Sequence, residues 1–266
     1  MPTDTTVDDS VLIEERIGHV SVLTLNRPTS MNAIDPELGA ALSDAWDRLQ
    51  RDDETWVLVL TGAGDRAFSA GADLKTPVPE QSFAGSFLGG TGPRPVTVPP
   101  NYLKPVICAV NGLAYGAGLE LLLSTDIQIA TPEARFCLPE AKVGSIPGAG
   151  GTQRIAHALP RGIARRMALT GEPIDADTAL RLGLVSELVA RESLRERALE
   201  IAERICANAP LAVRAIKKAV EAADQLTLDD GLAMEQLLWG SLRDSEDRLE
   251  GRTAFAEKRT PVYRAR

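Results

Sequence analysis

Asn111-Gly112-Leu113-Ala114-Tyr115-Gly116-Ala117-Gly118-Leu119-Glu120 is the stretch whose reading decides the fold. It follows Val106 to Val110, a continuous apolar run of strand length, and it leads into a predicted helix from Leu119 to Ser124. A buried strand that turns through small residues into a helix is a building unit of a mixed α/β core. Small residues at 116 to 118 let another group approach the backbone closely. If the helix begins there, the Ala117 amide is a first-turn donor with no intrahelical partner, at the positive end of the helix dipole. Glu120 follows three residues later and shares that face. One segment thus offers an oxyanion donor and a carboxylate. Tight helix packing with a solvated glutamate accounts for the same residues, and the stretch alone does not separate the two.

Working toward the N-terminus, Val11 to Ile17 and Val20 to Leu25 read as a hairpin about Gly18-His19. Asp35-Pro36-Glu37 starts a helix with an N-cap followed by proline, and the apolar stripe Leu38, Ala41, Leu42, Ala45, Trp46 and Leu49 carries it to about Leu49. Trp56 to Leu60 is a second buried strand, followed by the turn Thr61-Gly62-Ala63-Gly64. Toward the C-terminus, Asp126 to Ala130 and Ala134 to Leu138 read as short strands. From Gly148 the pattern is mainly helical, apart from a strand-like run at Val185 to Ala190. Strands crowd the first half and amphipathic helices fill the last third, which predicts a mixed α/β core with a helical appendage. The expected division is a catalytic core over 1–200 and a helical region over 201–266. Residues 76 to 103 hold six prolines and four glycines and keep no periodicity, so an irregular loop is expected there.

Composition removes several function classes. The formal net charge of −8 argues against nucleic-acid binding, which needs a basic patch. No apolar run approaches the roughly 20 residues that span a bilayer, and Met1 to Ser10 lacks the pattern of a secretory signal; the expectation is a cytoplasmic protein without membrane contact. Cys108, Cys137 and Cys206 are scattered in apolar surroundings and read as buried small hydrophobes. Neither His19 nor His157 lies at a metal-ligand spacing from Cys, Asp or Glu, so no metal is expected.

Two further glycine-flanked stretches bear chemistry. One is Phe68-Ser69-Ala70-Gly71-Ala72-Asp73-Leu74-Lys75; the other is Pro139-Glu140 with Val143-Gly144-Ser145-Ile146-Pro147-Gly148-Ala149-Gly150-Gly151-Thr152-Gln153-Arg154. Together with Leu25-Asn26-Arg27-Pro28, Met31-Asn32-Ala33 and the tail motifs Glu246-Asp247, Glu250-Gly251 and Ala254 to Arg259, the three stretches resemble the crotonase, or enoyl-CoA hydratase/isomerase, family from about Thr24 to Arg259.

The resemblance implies an α/β fold, a spiral of ββα units forming two roughly perpendicular sheets, with C-terminal helices that mediate trimers, often paired into hexamers. It implies that the amides of Ala72 and Ala117 form an oxyanion hole for a thioester oxygen and that Glu120 and Glu140 are the two catalytic glutamates. Many relatives keep one glutamate; both are present here, which favours addition of water to a 2-enoyl-CoA. By the same resemblance Gly148 helps hold the water or Glu140, and Lys75 lies near the nucleotide phosphates of CoA. Ser30 and Met31 contact adenine or pantetheine, Ala70, Leu74 and Gly116 border the substrate, and Phe255 and Lys258 reach the CoA of a neighbouring subunit. Asp73 is placed with these substrate-bordering residues and is expected to act as a structural hydrogen-bonding residue rather than a catalytic one. CoA arrives with the substrate, so no cofactor is expected.

Within the family, dehydratases, isomerases, ring-cleaving hydrolases and dehalogenases reuse such a hole, and a hydratase acting on carnitinyl or aromatic acyl-CoA would also keep both glutamates. An RNA-binding member meets the objection of charge. A serine peptidase of a distantly similar fold would need a histidine beside a nucleophile elbow, which neither histidine supplies. Phe83, Phe87 and Tyr102 fit equally as acyl-chain contacts or as packing residues.

Overall fold

Leu12–Ile17 (β1) and Val20–Leu25 (β2) pair antiparallel through Gly18-His19, the expected hairpin. The computed structural model describes residues 10–76 and 96–266. After β2 a short 3-10 turn at Pro28–Ser30 leads to the helix Pro36–Arg51 (α1), whose N-cap Asp35 accepts a hydrogen bond from the Leu38 amide. Val57–Gly62 (β3) and Ala67–Ser69 (β4) follow, then Val106–Val110 (β5), Leu113–Tyr115 (β6) and the helix Ala117–Leu122 (α2). The next turn of chain holds Ile127–Ala130 (β7), Arg135–Cys137 (β8) and a 3-10 turn at Glu140–Val143, then helices Gly151–Ala158 (α3) and Arg161–Thr170 (α4). Ile174–Asp175 (β9), Ala176–Leu182 (α5) and Glu187–Leu188 (β10) precede four helices: Leu194–Cys206 (α6), Pro210–Ala223 (α7), Leu228–Ser241 (α8) and Glu246–Glu257 (α9).

Two sheets result, a six-stranded one ordered β1-β2-β3-β5-β7-β10 and a four-stranded one ordered β4-β6-β8-β9. Within the first, β2, β3, β5, β7 and β10 run parallel. The chain lays one strand in each sheet on every pass, β3 then β4, β5 then β6, β7 then β8. That alternation is the spiral of ββα units the resemblance implied. The short strands β4, β6 and β9 escape sequence reading because two or three residues show no period.

Both faces of β3 and β5, in the middle of the larger sheet, are covered, which is why these two strands read as unbroken apolar runs. Leu58 and Leu60 of β3 face the core that contains Leu38, Leu42, Ala45, Trp46 and Leu49 of α1. Val57 and Val59, pointing the other way, pack with Leu194, Ala198 and Ala202 of α6. Helix α6 therefore belongs to the packing of the sheet along its whole length, across position 201. Helix α2 begins at Ala117, two residues before the start expected from sequence. Beyond α9 the chain end folds back: Asp247, buried at the start of α9, accepts from the amides of Arg264 at 2.7 Å and Ala265 at 2.9 Å.

Of the expected irregular loop, residues 77–95, including Phe83 and Phe87, lie outside the described residues. Tyr102 is buried and stands edge-on to Trp46 with ring centroids 5.8 Å apart, so it is a packing residue and not an acyl contact. Cys108 and Cys137 are buried, and all three cysteines are free thiols. Among the described residues no helix is long and apolar enough to cross a membrane.

Candidate active site

Three loops at the ends of strands converge on one place. The first follows β4. Its Ala70 amide donates to the Met31 carbonyl, and the Ile34 amide and carbonyl bond Gly71 and Asp73 on either side of Ala72. This leaves the Ala72 amide facing away from that bridge. The second loop is Gly116-Ala117. Gly116 adopts φ +52° and ψ −125°, a conformation that side chains oppose, and its amide donates to the Cys137 carbonyl. Ala117 is the first residue of α2, where the amide has no intrahelical acceptor. Among the described residues neither the Ala72 nor the Ala117 amide has a hydrogen-bond acceptor. A Cβ on Gly71 would lie 3.3 Å from the Ala117 nitrogen and 3.4 Å from Gly116 Cα, so the two loops touch. Two unused donors on touching loops leave two N–H groups available to an acceptor from outside the chain.

The glutamates sit beside that pair. Glu120 is 3 % exposed. Its Oε1 accepts hydrogen bonds from the amides of Ala149 at 2.7 Å and Gly151 at 2.8 Å, at the N-terminus of α3. Two fixed donors on one oxygen hold the carboxylate still and leave Oε2 for a substrate or water. Glu140 opens the 3-10 turn after β8, and Lys142 pins that turn by donating to the Gly171 carbonyl at 2.7 Å. Glu140 Oε2 is buried with no hydrogen-bond partner among the described residues. Burial, reinforced by the charge of Glu120, raises the Glu140 carboxyl above its ordinary value. A Cβ on Gly116 would stand 3.1 Å from Glu140 Oε1, which places this glutamate against the Gly116-Ala117 loop.

Several expectations change in detail. The amides of Ala149 and Gly151 hold Glu120, and among the described residues no hydrogen bond joins Gly148 to Glu140. The reason is the left-handed turn at Gly150, φ +98°, which aims the flanking amides inward and leaves Gly148 exposed. Asp73 is the structural residue expected: it pairs with Arg27 at 3.0 Å, and Arg27 also pairs with Asp35 at 3.1 Å. The Lys75 amide and the Arg27 guanidinium hold the Asp73 carboxyl below its ordinary value. Arg27 thus ties the loop bearing Ala72 to the start of α1, a link visible in sequence only as the residue before Pro28.

Residues expected to meet CoA fall into two groups. Met31 lines a cleft of about 250 Å³ with Pro28, Thr29, Gly64 and Arg66, and Ser30 is exposed beside it. Leu74 and Lys75 are exposed just past Ala72. Phe255 and Lys258 are exposed at the far end of α9, and Phe255 lines a groove of about 690 Å³ with Trp239, Leu242 and Tyr263. Neither Phe255 nor Lys258 lines the cleft that holds Met31. Among the described residues no group of three or more His, Cys, Asp or Glu is placed to hold a metal ion.

Comparison with known proteins agrees with this geometry. The family described as Enoyl-CoA hydratase/isomerase matches residues 15–266. The chain is 44% identical over 248 residues to the (E)-benzylidenesuccinyl-CoA hydratase of Thauera aromatica, covering 93% of this chain and 96% of the relative. It is 39% identical to the short-chain-enoyl-CoA hydratase of Clostridium acetobutylicum, covering 93% and 95%. A crystal structure of an enoyl-CoA hydratase/isomerase from Mycobacterium paratuberculosis superposes with a TM-score of 0.88 at 37% identity, covering 96% of this chain and 99% of that one. Matched by the family over residues 15–266 and by relatives along nearly its whole length, the chain belongs to the enoyl-CoA hydratase/isomerase family.

Proposed function

We propose that this protein is a 2-enoyl-CoA hydratase, a carbon–oxygen lyase that reversibly adds water across the 2,3-double bond of an acyl-CoA thioester to give the 3-hydroxyacyl-CoA. The observation that carries the reading is the unequal pair of glutamates: Glu120 held by two amides with one oxygen left over, and Glu140 raised by burial beside the oxyanion loop. The thioester oxygen accepts from the Ala72 and Ala117 amides, which draws electron density out of the double bond. Glu120 Oε2 takes a proton from water as the hydroxyl adds to Cβ. Glu140, protonated, delivers its proton to Cα. One carboxyl placed to take a proton and another placed to give one are what acid and base catalysis across a double bond requires.

Glu120→Gln keeps the amide contacts through its own oxygen but cannot take a proton, and Glu140→Gln cannot give one. Each is expected to lower crotonyl-CoA hydration at least ~100-fold. Near-normal rates in either variant refute the assignment. Assays across short, long, branched, aromatic and carboxylate-bearing enoyl-CoA thioesters read the acyl preference.

The same proposal extends to the rest of the molecule. Ser30, Met31, Leu74 and Lys75 contact the CoA moiety, while Phe255 and Lys258 reach it from a neighbouring subunit of a homotrimer or homohexamer. The large apolar side chains exposed on α7, α8 and α9, among them Val220, Leu237, Trp239 and Leu249, support such an assembly, and sedimentation velocity tests it. The catalytic unit runs through α6, and α7 to α9 form the assembly region. No cofactor beyond the substrate's CoA takes part. Three free thiols suit a reducing, cytoplasmic setting.

A further inference from the structure

The Gly150-Gly151 pair makes room for two side chains, and only one of them is a glutamate. A Cβ on Gly151 would lie 2.9 Å from Glu120 Oε1, while a Cβ on Gly150 would lie 2.3 Å from Arg154 Nη1. Arg154, in the first turn of α3, folds back over the helix N-terminus, and its Nη1 donates to the Ala149 carbonyl at 2.8 Å. That carbonyl belongs to the peptide unit between the two whose N–H groups hold Glu120, those of Ala149 and Gly151. Arg154 is half-buried, and among the described residues it forms no ion pair. Burial pulls its guanidinium below the ordinary value, and the Glu120 carboxylate acts in the opposite direction. A cation so placed, without a carboxylate partner of its own, is poorly explained as a solvated surface residue.

We propose that Arg154 is a positioning residue for Glu120: it clamps the peptide between the two donors that fix the carboxylate, and it sets a permanent positive charge beside it. The proposal rests on the reading of Glu120 as the group that activates water. The Gly150-Gly151 pair is then the steric condition of the arrangement, one glycine for the clamp and one for the carboxylate. The guanidinium touches neither substrate nor reacting atoms in this role; it acts through Ala149.

The test is steady-state hydration of crotonyl-CoA by the full-length protein, its Arg154→Ala and Arg154→Lys variants, and Arg154→Ala combined with Glu120→Gln, with thermal melts of each. Arg154→Ala is expected to lower kcat about tenfold or more with KM within about twofold, because misplacing a catalytic group costs rate rather than binding. Arg154→Lys, which restores a cationic donor for the Ala149 carbonyl, is expected to recover a substantial part of kcat. In the Glu120→Gln background the Arg154→Ala change should add little, since residues that act as one unit are not additive. If Arg154→Ala yields no folded protein, Arg154→Gln, uncharged and of similar reach, takes its place. Unchanged kcat, a loss that multiplies fully in the double variant, or a rise in KM alone for carboxylate-bearing substrates would each overturn the proposal, the last by making Arg154 a substrate-binding residue. Wild-type protein inert toward every enoyl-CoA thioester would instead remove the hydratase reading itself.

Discussion

Gly151→Ala is the most demanding test of the site, because one methyl group is asked to separate stability from activity. The new Cβ would stand 2.8 Å from Glu120 Cγ and 2.8 Å from Pro147 Cβ. Carbon atoms pack best at about 3.5–4.0 Å, so relief requires a shift of close to ~1 Å in one neighbour or both. Two energies oppose each other. Alanine at the first position of α3 favours the helix by roughly 0.5–1 kcal/mol over glycine. Overpacking of this kind costs about 1–3 kcal/mol. The difference is a destabilisation of about 0–2.5 kcal/mol, which at roughly 2–4 °C per kcal/mol lowers the melting temperature by no more than about 10 °C. Catalysis suffers more, since the displaced atoms include the carboxylate and the amide that holds it; a misplacement of ~1 Å can cost on the order of 100-fold. The assay is crotonyl-CoA hydration beside a thermal melt. If the Glu120 side chain alone yields, the rate falls and the melt holds; if the Pro147 loop yields, both fall. A variant within about threefold of the wild-type rate would refute the claim that this glycine makes room for Glu120.

Three further outcomes are expected. Gly116→Ala forces a side chain into the left-handed region and against Glu140 Oε1, 3.1 Å away, so hydration should drop by on the order of 100-fold with a clear loss of stability, read by the same two assays. Glu140→Gln should stabilise the protein at neutral pH. The folded carboxyl keeps its proton to higher pH than the unfolded one, whose reference value is 4.5, so stability falls as pH rises from that value through the raised one; the melting temperatures of variant and wild type should converge below it, and a gap that widens toward acid would contradict the sign. Asp247→Ala leaves the amides of Arg264 and Ala265 without their acceptor, and a loss of about 2–3 kcal/mol should appear as a lower melting temperature and faster carboxypeptidase trimming of the tail.

Much of the fold is legible along the chain because long elements carry their own period. The hairpin of β1 and β2, the Asp35-Pro36 start of α1 and the bounds of β5 follow from alternation, capping and apolar runs. The strands β4 and β6 are not legible, since three residues show no alternation; only pairing with each other and with β8 makes them strands. Tyr102 shows the same limit for a side chain. Its sequence neighbourhood of prolines suggests a surface loop, but Trp46, 56 positions earlier in the chain, buries it.

By itself the sequence determined which groups could do chemistry: small residues at 71 and 116 that free the next amide, and glutamates at 120 and 140 at fixed offsets from turns. Those are local properties, set by backbone sterics within a few residues. Only the tertiary structure decided which peptide holds which carboxylate. The donors to Glu120 come from 29 and 31 residues further along the chain, and the turn at Gly150 that aims them has Arg154 folded back over it. No spacing rule links such positions, because their meeting depends on how α3 docks against α2, and that docking is a sum of packing contacts spread over the whole core.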